Sequence, residues 1–133
     1  MSTPTLLANR AAIRLSGEDR LSFLQGVITQ DVELLKDQPA IFTTLLTPQG
    51  KILFDFFIIA DGDELFIDCH DDAAQALIKR LSLYKLRAKV AIEPATDKKI
   101  IVGTEAIDGG YVDPRHESLG WRAIVSGASV QAN

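Results

Sequence analysis

The segment from Ala40 to Cys69 constrains this chain most. Ala40 to Leu46 and Lys51 to Ala60 are two strongly apolar runs separated by Thr47-Pro48-Gln49-Gly50. In such a turn proline sets one backbone angle and glycine accepts positive φ, so the pair is expected to fold as an antiparallel hairpin. Asp61-Gly62-Asp63 supplies another tight turn before Leu65-Phe66-Ile67-Asp68-Cys69, which extends the hairpin into a three-stranded meander.

The flanking segments supply cover for that sheet. Ala12 to Leu15 alternates at a period of two and meets Ser16-Gly17, the pattern of a short strand and a turn. A helix is expected next, capped by Ser16 or Gly17, with Glu18 and Asp19 at its positive end and Leu21, Leu24 and Gln25 following to Gly26. Asp31 to Lys36 reads as a second helical turn that stops near Pro39. The clearest helix begins at Asp71 or Asp72 and carries Ala74, Leu77, Ile78, Leu81 and Tyr84 on one stripe. Arg87 to Glu93, Lys99 to Gly103 and Trp121 to Val125 complete the expected strands. This succession implies an α+β fold: an antiparallel or mixed sheet with helices mainly on one face.

Composition narrows the function classes. With 133 residues and 47% hydrophobic content, one domain is expected. The net charge of −4 gives no global attraction for nucleic acid. The densest apolar segment, Ile52 to Ala60, is far short of the roughly 20 residues a spanning helix needs, so no membrane span is expected. One cysteine excludes an intramolecular disulfide, and Met1 to Asn9 has neither a basic residue nor an apolar run, which together suggest a cytoplasmic address.

Four pieces in order resemble the amino-terminal part of the YgfZ-type folate-binding family, relatives of the aminomethyltransferase (T-protein) of the glycine cleavage system. They are Phe23-Leu24-Gln25-Gly26 with Thr29-Gln30-Asp31-Val32; Thr47-Pro48-Gln49-Gly50-Lys51; Leu81 to Val90, with a Tyr-x-x-x-x-Lys-Val pattern at Tyr84, Lys89 and Val90; and Asp113-Pro114-Arg115 with Leu119-Gly120-Trp121-Arg122. The family's signature Lys-Gly-Cys-Tyr-x-Gly-Gln-Glu is absent from the chain. Residues 1–133 are therefore expected to be a single amino-terminal folate-binding-like domain, a fragment or truncated member, with 108–133 leading into a missing second portion. The resemblance implies tetrahydrofolate as ligand, and a role in assembling or maintaining iron-sulfur enzymes and, through them, in transfer RNA modification. It also implies iron-sulfur enzymes or assembly proteins as partners, and sheet edges open to homo-oligomerisation.

Asp55 is the first candidate ligand contact, because a carboxylate in an apolar strand is costly to bury unpaired. Alternation equally allows it to face solvent. The resemblance implies that Asp55 lies near the folate; where aminomethyltransferases carry a carboxylate pair, this chain has Phe54-Asp55. Gln49, Gly50 and Lys51 offer backbone N–H groups and an ammonium to a carboxylate, and Thr29 offers a hydroxyl after the first helix. Lys79, Arg80, Lys85, Arg87 and Lys89 form a basic cluster that would suit a polyglutamate tail or an acidic partner, although helix-dipole pairing and a solvated face also account for it. Cys69 and His70 point to opposite faces of a strand, so no metal site is assigned, and no catalytic residue is assigned. Besides a folate-binding module, two readings remain: a folate-dependent aminomethyltransferase, and a non-binding structural fragment that self-associates.

Overall fold

The computed structural model describes residues 4–127. In chain order the elements are β1 (Thr5–Leu6), β2 (Arg10–Ser16), α1 (Arg20–Gln25), β3 (Ala40–Leu46), β4 (Ile52–Asp61), β5 (Glu64–His70), α2 (Ala74–Lys85), β6 (Ala91–Pro94), β7 (Lys98–Gly103), β8 (Tyr111–Val112) and β9 (Trp121–Ser126). Short 3-10 turns cover Val32–Lys36, Asp71–Ala73 and Glu117–Leu119.

The expected meander is present as β3-β4-β5, and β2 and β6 extend it to a five-stranded sheet of order β3-β4-β5-β2-β6. The class is α+β as expected, but there are two sheets. β1, β7, β9 and β8 form a second sheet of four strands, and every pairing among the described residues is antiparallel. The two-residue strands β1 and β8 are too short to show a period in sequence, and this second sheet covers the face that the helices leave open.

Alternation divides the large sheet into two faces. One carries Ile13, Leu15, Ile41, Leu45, Phe56, Ile58, Leu65, Ile67 and Cys69, and packs on Phe23 and Leu24 of α1 and Ala74, Leu77 and Leu81 of α2. The other carries Ala12, Ala40, Phe57, Ile59 and Phe66, and packs on Tyr111 and Ile124 of the small sheet.

Local departures from expectation have identifiable causes. The strand expected over Arg87 to Glu93 begins only at Ala91. Leu86 has φ 45°, and Lys89 is held by α1's approach: the Asp19 N–H donates to the Lys89 carbonyl (3.1 Å), and the Lys89 N–H donates to Asp19 Oδ2 (2.8 Å). Asp19 thereby spends its carboxylate elsewhere and makes no cap for α1. Gly17 is required here, since a Cβ on it would lie 2.2 Å from the Lys89 carbonyl oxygen. Asp71 and Asp72 form a 3-10 turn and do not cap α2. Asp31 does cap the following turn, accepting from the Glu33 N–H at 2.9 Å.

Candidate functional site

Cross-strand register places Asp55 on the face that looks toward the small sheet. Thr44 pairs with Asp55, Phe42 with Phe57, and Phe57 with Asp68, so Thr44, Phe42, Asp55, Phe57 and Asp68 all share that face. Toward Phe57 this face is closed by the second sheet; at Asp55 it is open, and Asp55 is exposed.

Beside Asp55 lies a charged cluster. Asp68 is 0% exposed and receives Arg10 Nε at 2.7 Å and Arg122 Nη2 at 2.8 Å. Arg10 also donates to the Asp68 carbonyl, at 2.8 Å. A carboxylate buried without such partners would cost several kcal/mol, and its two guanidiniums satisfy both oxygens. Because Arg122 belongs to β9 and Asp68 to β5, the ion pair ties one sheet to the other. The Phe57 ring is the platform on which three arginines converge: the guanidinium carbons of Arg122, Arg115 and Arg10 lie 4.1, 4.9 and 5.7 Å from its centroid. Such contacts are each worth about 0.5–2 kcal/mol. Phe42 meets Phe57 edge-on at 5.0 Å and also lies under Arg115.

Arg115 is fixed by Asp113. Its Nε and Nη2 donate to Oδ1 at 3.0 Å and Oδ2 at 2.7 Å, and its own N–H also donates to Oδ1 at 2.9 Å. Burial alone would push the Asp113 carboxyl up, but these donors and the charges of Arg115 and Arg122 bring it below its ordinary value. The same hydrogen bonds raise Arg115, to which the charges of Asp68 and Asp55 also contribute. Asp55 thus feels Arg115 but makes no hydrogen bond or ion pair among the described residues. Among the described residues, Tyr111 Oη and Arg122 Nε are buried without a well-formed hydrogen bond, and burial pushes the Tyr111 phenol well above its ordinary range.

The other sequence candidates are placed apart from Asp55's cluster or are already engaged. Gln49, Gly50 and Lys51 are exposed at the hairpin tip. Two of the N–H groups expected to be offered there are spent within the turn: Gly50 donates to the Thr47 carbonyl (2.9 Å) and Lys51 to Thr47 Oγ1 (3.0 Å). The Lys51 ammonium and the Gln49 side chain make no hydrogen bond among the described residues. Thr29 binds the loop after α1 to β3, its hydroxyl lying 2.8 Å from Thr44 Oγ1 and accepting from the Thr44 N–H at 3.2 Å. Thr44 pairs with Asp55, so Thr29 reaches the neighbourhood of Asp55 through one intervening residue. In the basic cluster, Lys85 Nζ donates to the Val90 carbonyl and Lys89 pairs with Glu18 at 3.0 Å. Cys69 is buried on the helix-covered face, where burial raises its thiol to about 11, while His70 is exposed.

Sequence reasoning missed Arg10, Asp68, Asp113, Arg115 and Arg122 as a cluster. Its signal was available: Asp68 interrupts an apolar strand just as Asp55 does, and the argument that such a carboxylate needs a partner applies to Asp68, the one that is buried.

No family model matches the chain. The iron-sulfur cluster assembly factor IBA57 homologue of Pyricularia oryzae is 30% identical over 144 aligned residues, covering 96% of this chain and 36% of that protein. IBA57 of Mus musculus is 29% identical, covering 89% of this chain and 41% of that protein. The chain thus spans well under half the length of these relatives. Both of these relatives are named mitochondrial, which overturns the cytoplasmic address expected from sequence. The residues Met1 to Asn9 were a poor guide, because a stretch matching about a third of longer proteins carries no information on their addressing. Among solved structures, the glycine cleavage system aminomethyltransferase T of Bartonella henselae superposes with a TM-score of 0.64 at 17% identity, over 73% of this chain and 27% of that one.

Proposed function

Since the chain belongs to the YgfZ-type, aminomethyltransferase-like family and spans only part of its relatives' length, we propose that it is a tetrahydrofolate-binding module of an iron-sulfur cluster assembly factor. Acting in the assembly or upkeep of iron-sulfur enzymes, it would contribute through them to transfer RNA modification. The residues form one domain of a longer working unit, and its protein partners are iron-sulfur enzymes or assembly proteins.

The observation that carries this reading is Asp55. It is an exposed carboxylate at the open end of a sheet face otherwise built from aromatic rings and arginines, and nothing among the described residues bonds to it. A pterin offers ring N–H and amino donors, which such a carboxylate accepts, and a flat ring that Phe42 and the Arg115 guanidinium suit. Lys51 and Gln49 at the hairpin tip supply a cation and an amide for the ligand's glutamyl carboxylate. Thr29 holds the loop that backs Thr44.

Anaerobic calorimetric titration of the chain with tetrahydrofolate, beside Asp55→Asn, tests the reading. Saturable binding weakened about tenfold or more by the substitution is expected. Equal affinity of the two proteins would remove Asp55 from the site, and no binding by either would remove the module's independent folate affinity.

A further inference from the structure

The end of α2 bears a second surface, unrelated to Asp55 and on the helix-bearing side of the large sheet. From Ala74 to Val90 there are five cations, Lys79, Arg80, Lys85, Arg87 and Lys89, and no acidic residue, in a chain whose net charge is −4. Lys85 and Lys89 are engaged as described above, but the side chains of Lys79, Arg80 and Arg87 make no hydrogen bond or ion pair among the described residues. Among these cations stand Leu83, 63% exposed, and Leu86, 86% exposed. Helical spacing puts Lys79 and Arg80 one turn before Leu83 and Tyr84.

Leu86 is held outward at a cost. It is the one non-glycine residue among those described with positive φ, 45°, a conformation that a branched apolar side chain ordinarily avoids. The Ala88 N–H donating to the Lys85 carbonyl (2.7 Å) and the Lys85 ammonium donating to the Val90 carbonyl (3.1 Å) fix the loop around it. Beside this tip, Tyr84 forms one wall of a groove of about 240 Å³, whose other walls are Gly26, Val27, Leu45, Leu46, Thr47 and Pro48.

We propose that this surface docks an acidic segment of a partner protein carrying spaced apolar side chains, with its carboxylates on Lys79, Arg80 and Arg87 and its apolar groups against Leu83, Leu86 and the Tyr84 groove. Charge selects the occupant. A nucleic acid or an anionic bilayer would feel the repulsion of the whole acidic molecule, whereas a short segment meets chiefly the local cations within a Debye length. An open groove with Val27, Leu46 and Pro48 in its walls, beside the cations, suits an anchor side chain of a peptide.

The test uses a fluorescent amphipathic helix of about 20 residues, with glutamates on one face and leucines on the other, beside a scrambled peptide of the same composition. The outcome expected is saturable anisotropy with the patterned peptide, weakened at least tenfold both by Leu83→Ser with Leu86→Ser and by Arg80→Glu with Arg87→Glu, and weakened by salt. Leu83, Leu86 and Arg87 are exposed and Arg80 is half-buried, and unchanged unfolding midpoints would confirm that both variants fold. Absence of saturable binding would overturn the proposal, as would equal binding of the scrambled peptide or equal binding by either variant. Tighter association with phosphatidylserine vesicles would assign the surface to a membrane instead. Self-association in sedimentation that the leucine variant abolishes would assign it to a second copy. None of these readouts involves folate, so the result stands apart from the fate of the Asp55 site.

Discussion

The two faces of the five-stranded sheet solve the same burial problem differently. Toward α1 and α2 the sheet is closed by a core of aliphatic and aromatic side chains in which Cys69 and Thr43 are the buried side chains carrying a polar atom, and none is charged. Toward the small sheet it is closed around an ion-paired aspartate and the arginines gathered over Phe57. Ile67 and Asp68 are neighbours in β5 and face these opposite environments, both 0% exposed. Hydrophobic packing tolerates a range of shapes, whereas the charged face works only when every partner is present, so it fixes how one sheet sits on the other. It also leaves charged groups and the edge-on pair of Phe42 and Phe57 next to the open position of Asp55, which the helix-covered face does not.

The largest expected effect comes from breaking the charged face at its centre. Asp68→Ala leaves Arg10 and Arg122 buried without a counter-charge and should cost about 3–5 kcal/mol in urea unfolding. The triple variant Arg10→Met, Asp68→Leu, Arg122→Met should recover most of that loss, since apolar groups of similar volume need no partner. If the triple variant is as unstable as the single one, packing and not unpaired charge explains the cost. On the other face, Leu77→Ala should cost about 2–5 kcal/mol through lost burial and a residual cavity, with no rescue from any change of charge.

Acid separates the faces further. The folded Asp113 carboxyl lies below its ordinary value, so as pH falls through about 4 the unfolded chain takes up the proton first. The stability contributed by the Asp113–Arg115 pair is therefore full above the unfolded pKa and lost as pH falls through the folded one. Wild type and Asp113→Asn should differ in unfolding midpoint at pH 7 and converge in acid. Alkali tests the helix face through Cys69. Its thiol is raised to about 11 by burial, so the contribution is full below the unfolded value near 9 and is lost as pH rises toward 11. Comparison with Cys69→Ala isolates this loss from that of Tyr111, and native Cys69 should resist alkylation until the protein unfolds. The smallest effect on stability belongs to Asp55→Asn, expected within about 0.5 kcal/mol of wild type because the carboxylate is exposed and unbonded.

The large sheet was legible in sequence because its information is local. The Thr47 to Gly50 and Asp61 to Asp63 turns and the period-two strands between them specify β3, β4 and β5 without reference to the rest of the chain. The inter-sheet face was not legible, because its cover comes from residues 111–126, more than forty positions beyond β5 and in strands as short as two residues. Alternation alone puts Asp55 and Asp68 on the same face and cannot say which of them that cover reaches. Thr29 and the hairpin tip were proposed from their residue types and the family resemblance. That the Gly50 and Lys51 N–H groups close onto Thr47 depends on the turn's geometry, and the end of the expected 108–133 portion, residues 128–133, lies outside the described residues.

The proposed division between a ligand-binding charged face and a scaffolding apolar face is tested most directly by amide chemical-shift mapping of the isotope-labelled chain during anaerobic tetrahydrofolate titration. The account predicts saturable shifts at Thr44, Asp55 and Phe57 and around Gln49 to Lys51, with Leu77 and Leu81 of α2 unmoved. Shifts confined to α2 and the Tyr84 groove, with Asp55 silent, would contradict it.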